Sequence, residues 1–130
     1  MVDENLNTKI TDFGIARMPE SDLTMTSSFV GSPAYMAPEA YVSAKVDHRA
    51  DIFSFGIVSF EVLLNQKPFG GDNLPQMMNQ IRNSETPVAS EIVPGFPAKL
   101  EVMLIKMLEK HPDDRYQTIE EVLNILNVFR

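Results

Sequence analysis

Asp47-His48-Arg49-Ala50-Asp51-Ile52-Phe53-Ser54-Phe55-Gly56 opens the stretch on which the fold turns. With Ile57, Val58, Phe60, Val62, Leu63 and Leu64 it predicts a helix from about His48 to Asn65, with Asp47 as candidate N-cap and Pro68 beyond the end. The apolar residues cover every face. A helix that is apolar all round is expected to be buried and packed on all sides. Ser54, Ser59 and Glu61 interrupt the run. It is too short and too polar to span a bilayer, which needs about 20 apolar residues.

Three further helices follow in the pattern. A short one covers about Leu74 to Arg82, with Asn73 as cap and Pro75 in its first turn. The next runs from about Ala98 to Lys110, with Leu100, Met103, Leu104, Met107 and Leu108 on one face, and His111-Pro112 ends it. The last begins at Thr118. Thr118 and Glu121 form a capping-box pattern, and Ile119, Val122, Leu123, Leu126 and Phe129 give the apolar stripe. Upstream, residues 1–11 read as a small β-hairpin, with Thr8, Lys9, Ile10 and Thr11 as a short strand. Asp12-Phe13-Gly14 is a turn. Residues 17–38 are rich in Pro, Ser and Thr and show no period, which predicts a long loop. His48 and His111 have neither metal-ligand spacing nor a nucleophile nearby, and read as surface or helix-end residues. Met77, Met78, Met103 and Met107 sit at helical spacing as core or groove filler.

The whole chain has 130 residues, 44% apolar and 22% charged, with no cysteine. That length suits one domain, and the apolar fraction excludes a disordered chain. A disulfide scaffold and a cysteine-ligated zinc or iron–sulfur site are excluded. Eighteen acidic residues against eleven basic give a net charge of −7. Such a chain is a poor partner for nucleic acid or an anionic membrane surface. The acidic start, Val2-Asp3-Glu4, is not a signal peptide. Freedom from cysteine fits a reducing cytoplasm.

Asp12-Phe13-Gly14 and Ala37-Pro38-Glu39 together bracket a hydroxyl-rich loop. Downstream lie the Asp47–Gly56 stretch and His111-Pro112-Asp113-Asp114-Arg115-Tyr116. In this collinear order the sequence strongly resembles the C-terminal lobe of eukaryotic-type serine/threonine protein kinases, including their bacterial relatives, over essentially all its length. Lys9-Ile10-Thr11-Asp12-Phe13-Gly14-Ile15-Ala16-Arg17 looks like the magnesium-binding strand and turn. Gly31-Ser32-Pro33-Ala34-Tyr35-Met36-Ala37-Pro38-Glu39 looks like the substrate-docking end of the activation segment. The resemblance implies a mainly α fold: a helical kinase C-lobe over residues 40–130, the β-hairpin over 1–11, and a long activation segment over 12–39, with no N-lobe.

The resemblance also implies roles. Asp12 would hold Mg2+ through its carboxylate, Phe13 would pack inward, and Gly14 would give the hinge; the plain reading of Asp12 is a solvated turn residue. Ser32 stands where serine/threonine kinases usually carry threonine. It keeps the hydroxyl donor toward the catalytic aspartate, and otherwise is a turn serine before Pro33. Thr24, Thr26, Ser27 and Ser28 are candidate regulatory phosphosites, each gaining about two negative charges if modified. Glu39 and Arg115 resemble the family's buried ion pair. Asp51 resembles the residue that holds the catalytic loop, and also suits the positive end of its helix.

The 130 residues contain no G-x-G-x-x-G and no His-Arg-Asp catalytic loop. The expectation is therefore a partial kinase, a fragment or split gene product whose complete parent is a transferase. That parent would move the γ-phosphoryl group of ATP to Ser or Thr of protein substrates, using ATP and Mg2+. This chain alone is expected to be inactive and to bind neither tightly. The alternative is a non-catalytic interaction module or pseudokinase fragment. Expected partners are protein substrates and another kinase chain, with no nucleic acid and no membrane segment here. Self-association is expected through apolar surface left uncovered on the His48–Asn65 helix. A cytoplasmic location is expected for the chain; relatives often carry a membrane helix and sensor domain after the kinase, so the parent's location stays open.

Overall fold

A computed structural model describes residues 33–43 and 45–129. The β-hairpin over 1–11 lies outside these residues. So do Asp12, Phe13, Gly14, Thr24, Thr26, Ser27, Ser28 and Ser32. The described residues form helices joined by 3-10 turns and irregular segments. They comprise α1 (Arg49–Leu64), α2 (Leu74–Asn83), α3 (Ala89–Ile92), α4 (Ala98–Met107) and α5 (Ile119–Leu126). Short 3-10 turns cover Pro33–Tyr35, Pro38–Tyr41, Pro112–Asp114 and Asn127–Phe129.

α1 is the axis of the fold. Phe53, Ile57, Phe60 and Leu64 recur at helical spacing and are buried with Ile52. They meet Met103, Leu104, Met107 and Leu108 at the α4 end of the core. Ile81 of α2, Ala89 of α3, Val122 of α5, Ala37, Ala50, Phe69 and Tyr116 complete that cluster. Gly56 lets α1 approach α4 closely. A Cβ there would stand 3.0 Å from both the Met107 Cβ and the Leu108 side chain. α1 stops at Asn65, whose left-handed backbone (φ 54°) ends the helix in a conformation that asparagine tolerates.

Among the described residues α1 is not packed on all sides, and apolar surface of the kind expected to be left uncovered on the His48–Asn65 helix is exposed. Every described element that covers α1 lies toward one face. Phe55 (39% exposed), Val58 (42%) and Val62 (76%) stand on the other.

Helix ends differ from the sequence reading in three places. The residue just before α1 is His48, but Asp47 still supplies the capping oxygen, accepting from Arg49 N at 2.9 Å. α4 ends at Met107 rather than Lys110. Leu108 N bonds both Leu104 O and Ile105 O, a tightened last turn, and the carbonyls of Glu109 and Lys110 turn to Arg115 instead. Thr118 precedes α5, yet its side chain makes no capping hydrogen bond. By contrast Asn73 caps α2, its Oδ1 accepting from Gln76 N at 3.0 Å. α3 escapes sequence reading because four residues are too few to display a period.

Candidate functional site

Of residues 33–41, the Pro33–Tyr35 turn lies against α1 and the Pro38–Tyr41 turn against α2. Two prolines open their 3-10 turns, fixing φ where an unsatisfied N–H would otherwise fall. The polar interruptions in α1 are the points of attachment. Ser54 Oγ donates to Tyr35 O at 2.7 Å, and Tyr35 Oη donates to Glu61 Oε2 at 2.7 Å. Lys67 Nζ lies 4.8 Å from the centre of the Tyr35 ring, a cation–π distance. Tyr41 Oη donates to Pro33 O and closes the segment on itself. Burial pushes the Tyr41 hydroxyl up to about 12.

Glu39 is held from the far end of the chain. Arg115 Nη1 donates to Glu39 Oε1 and Arg115 Nη2 to Glu39 Oε2, both at 2.7 Å. Arg115 is only 2% exposed. Its remaining N–H groups reach backbone carbonyls: Nε to Glu109 O at 2.7 Å, Nη1 to Arg49 O at 3.0 Å and Nη2 to Lys110 O at 3.0 Å. All five guanidinium hydrogens thus have acceptors, which a buried cation requires. Only arginine offers this planar fork; lysine, with three donors, would leave at least two of the five acceptors unserved. One cation binds the 33–41 segment, the start of α1 and the turn after α4 into one unit.

Stacked aromatic rings back this junction. Arg115 Cζ lies 4.9 Å from the centre of the Phe53 ring. Phe53 lies nearly parallel to Phe69, 6.4 Å away between centroids. Lys110 Nζ lies 3.6 Å from the Phe69 ring centre and donates to Ile81 O at 2.7 Å.

An exposed network reinforces the start of α1. Arg49 Nη1 bonds Asp113 Oδ1 at 2.7 Å and Arg49 Nη2 bonds Asp47 Oδ2 at 2.8 Å. Hydrogen bonds from Arg49 hold the Asp47 carboxyl down to about 2, and Asp47 with Asp113 raises the Arg49 guanidinium still higher. His48 Nε2 lies 2.8 Å from Gln117 O. Asp51 is in the first turn of α1 and exposed.

Of the residues singled out from sequence, the structure therefore brings Glu39 and Arg115 together and sets Asp51 at the head of α1. Tyr35, Ser54, Glu61 and Arg49 were not singled out as site residues; the signal for two of them was a hydroxyl and a carboxylate inside an apolar helix. No group of three or more His, Cys, Asp or Glu side chains gathers as a metal site among the described residues. No helix among them is long and apolar enough to cross a membrane. An open apolar groove of ≈ 460 Å³ between α4 and α5 is lined by Val102, Tyr116, Ile125 and Val128 with Lys99 and Asn124, and by no residue of 33–41.

Residues 1–126 match the family model described as the protein kinase domain. Serine/threonine-protein kinase Pkn1 of Myxococcus xanthus is 34% identical over 92% of this chain and 18% of its own length. Serine/threonine-protein kinase PrkC of Bacillus subtilis is 34% identical over 94% of this chain and 19% of its own length. Tyrosine-protein kinase MasK of Myxococcus xanthus is 38% identical over 93% of this chain and 19% of its own length. The chain spans about a fifth of the length of these curated relatives.

Proposed function

The chain belongs to the protein kinase domain family, and from that premise we propose that it is part of a serine/threonine protein kinase whose residues 33–41 dock the protein substrate. The observation that carries this reading is the bidentate Glu39–Arg115 pair, which ties the end of Ala37-Pro38-Glu39 to the turn after α4 and, through Arg49 O, to the start of α1. A substrate-docking surface has to be held without reorganisation while a phosphoryl group moves, because catalysis of that transfer is mostly positioning and neutralisation of charge. Tyr35, tied to Glu61 and Ser54, gives the same segment a second anchor.

In the complete enzyme Asp12 would hold Mg2+, which with ATP supplies a neutralised, transferable γ-phosphoryl group. Ser32 would donate its hydroxyl toward the catalytic aspartate. Asp51 would hold the catalytic loop, and Thr24, Thr26, Ser27 and Ser28 would carry regulatory phosphate. Ser32 supports Ser/Thr as the acceptor. The name of one relative, a tyrosine-protein kinase, makes acceptor identity a point to measure.

The 130-residue chain alone is expected to transfer no phosphate, since it contains neither a His-Arg-Asp loop nor a glycine-rich phosphate loop. Incubation with labelled ATP, Mg2+ and a generic protein substrate should give no time-dependent label above an Asp12→Ala control. Label well above that control would overturn the expectation. For the complete protein containing these residues, phosphoamino-acid analysis should return phosphoserine and phosphothreonine; phosphotyrosine alone would refute the assignment.

A further inference from the structure

The groove between α4 and α5 has a volume, ≈ 460 Å³, within the range that small ligands occupy. Its apolar lining is aliphatic apart from one ring: Ala98 and Val102 of α4, Ile125 of α5 and Val128 beyond it, with Tyr116. Tyr116 is only 7% exposed. The hydroxyls of Tyr35 and Tyr41 each donate to a protein oxygen. That of Tyr116 has no partner among the described residues, and it is reached by solvent rather than sealed in. Burial and the nearby Glu121 carboxylate push this phenol up, so it stays a donor at neutral pH. Cations stand on the α4 side. Lys99, Val102 and Lys106 recur at i, i+3 and i+7, which places them on one helix face. Lys99 lines the groove and Lys106 Nζ lies 4.6 Å from the centre of the Tyr116 ring. Neither lysine has a carboxylate within ion-pair distance among the described residues. On a chain of net charge −7, this is a local positive edge beside an apolar floor.

We propose that the groove binds a single-chain alkyl carboxylate, a fatty acid anion free in solution, with its carboxylate at the Tyr116 hydroxyl and the Lys106 ammonium and its chain along Val102, Ile125 and Val128. An unpartnered hydroxyl donor beside an unpaired ammonium calls for an acceptor that carries negative charge. The aliphatic lining suits a flexible chain better than a flat ring. Glu121 limits the charge that this end tolerates, which favours a monoanion over a phosphate dianion.

The test titrates the 130-residue chain at low ionic strength with decanoate, decanol and decyltrimethylammonium, each below its micellar concentration. The methyl resonances of Val102, Ile125 and Val128 report binding. Decanoate should bind saturably, about ten-fold tighter than decanol, and the cation more weakly than either. Val102→Asp, at an exposed position, should abolish binding with unchanged helical circular dichroism. Tyr116→Phe removes a hydroxyl that bonds nothing in the described structure. It should weaken decanoate several-fold and leave the unfolding midpoint where it was, a combination that a packing role for the ring would not give. Val62→Lys, on the uncovered face of α1, should leave the titration unchanged. Equal affinity for the three probes, no saturable shift with decanoate, or binding that survives Val102→Asp would overturn the proposal.

Discussion

Arg115, buried and fully served, and Lys110, half-buried and not, make opposite demands on the fold. Arg115 has an acceptor for every hydrogen, and its pairing with Glu39 is bidentate. Breaking a buried pair by deleting one partner strands the other, at a cost of about 3–5 kcal/mol. Arg115→Ala should therefore lower the urea midpoint sharply and free the 33–41 segment to limited proteolysis. Glu39→Ala should cost much the same, and the double variant far less than the sum, because both remove one interaction. Additive losses would sever the two residues energetically. Lys110 behaves otherwise. Its folded value, about 8, lies below the ordinary 10.5, so well below pH 8 both folded and unfolded chains are protonated and it contributes no pH dependence. Between 8 and 10.5 the unfolded chain holds the proton more tightly, so stability rises with pH. Tyr41, raised to about 12, opposes this only above pH 10, where the unfolded phenol begins to ionise first. Urea unfolding at pH 7.5 and 9.5 should show the gain in the native protein and lose it in Lys110→Met. A gain of equal size in the variant would assign it to another group.

At the scale of elements, the crossing of α1 over α4 turns on one missing side chain. Alanine in place of Gly56 would gain about 1 kcal/mol of helix propensity. Its Cβ would also meet the Met107 Cβ and the Leu108 side chain at 3.0 Å, and overpacking a core of this kind costs about 1–3 kcal/mol. Met107 lies on the facing helix and its Cβ cannot swing away, so the clash should win. Gly56→Ala should be destabilised despite its better propensity and Gly56→Val more so, measured as thermal midpoints; a more stable Gly56→Ala would mean that α4 slides freely. These elements show what the sequence carried. The extent of α1 to within a residue at each end, the Asn73 cap and the core stripe of α4 follow from local chemistry and are legible in the sequence. The early end of α4 is not, because it is caused by Arg115 drawing on carbonyls of Glu109 and Lys110, which carry no side-chain signal. Ser54 and Glu61 are legible as anomalies in an apolar helix. Their partner, Tyr35, is set by tertiary contact alone.

For the described part of the molecule as a whole, the decisive fact is that α1 is equally apolar on both faces and covered on one. Phe55, Val58 and Val62 recur at helical spacing along the uncovered side. Clustered apolar side chains of this kind favour association at about 25 cal/mol for each Å² removed from water. The net charge of −7 opposes it through repulsion between copies. Which effect wins depends on ionic strength, since screening shortens the repulsion to about 8 Å at physiological salt and leaves the apolar gain intact. Sedimentation velocity of the 130-residue chain should therefore show species larger than a monomer, increasing with both protein concentration and salt. Val62→Lys, at the most exposed position of the stripe, should shift the distribution toward monomer with unchanged helical circular dichroism, because Val62 makes no part of the buried cluster. A native chain that sediments as a monomer at high salt would show that the uncovered face of α1 is tolerated by water. A Val62→Lys variant that associates undiminished would place the contact elsewhere, with the apolar groove between α4 and α5 the next surface to substitute.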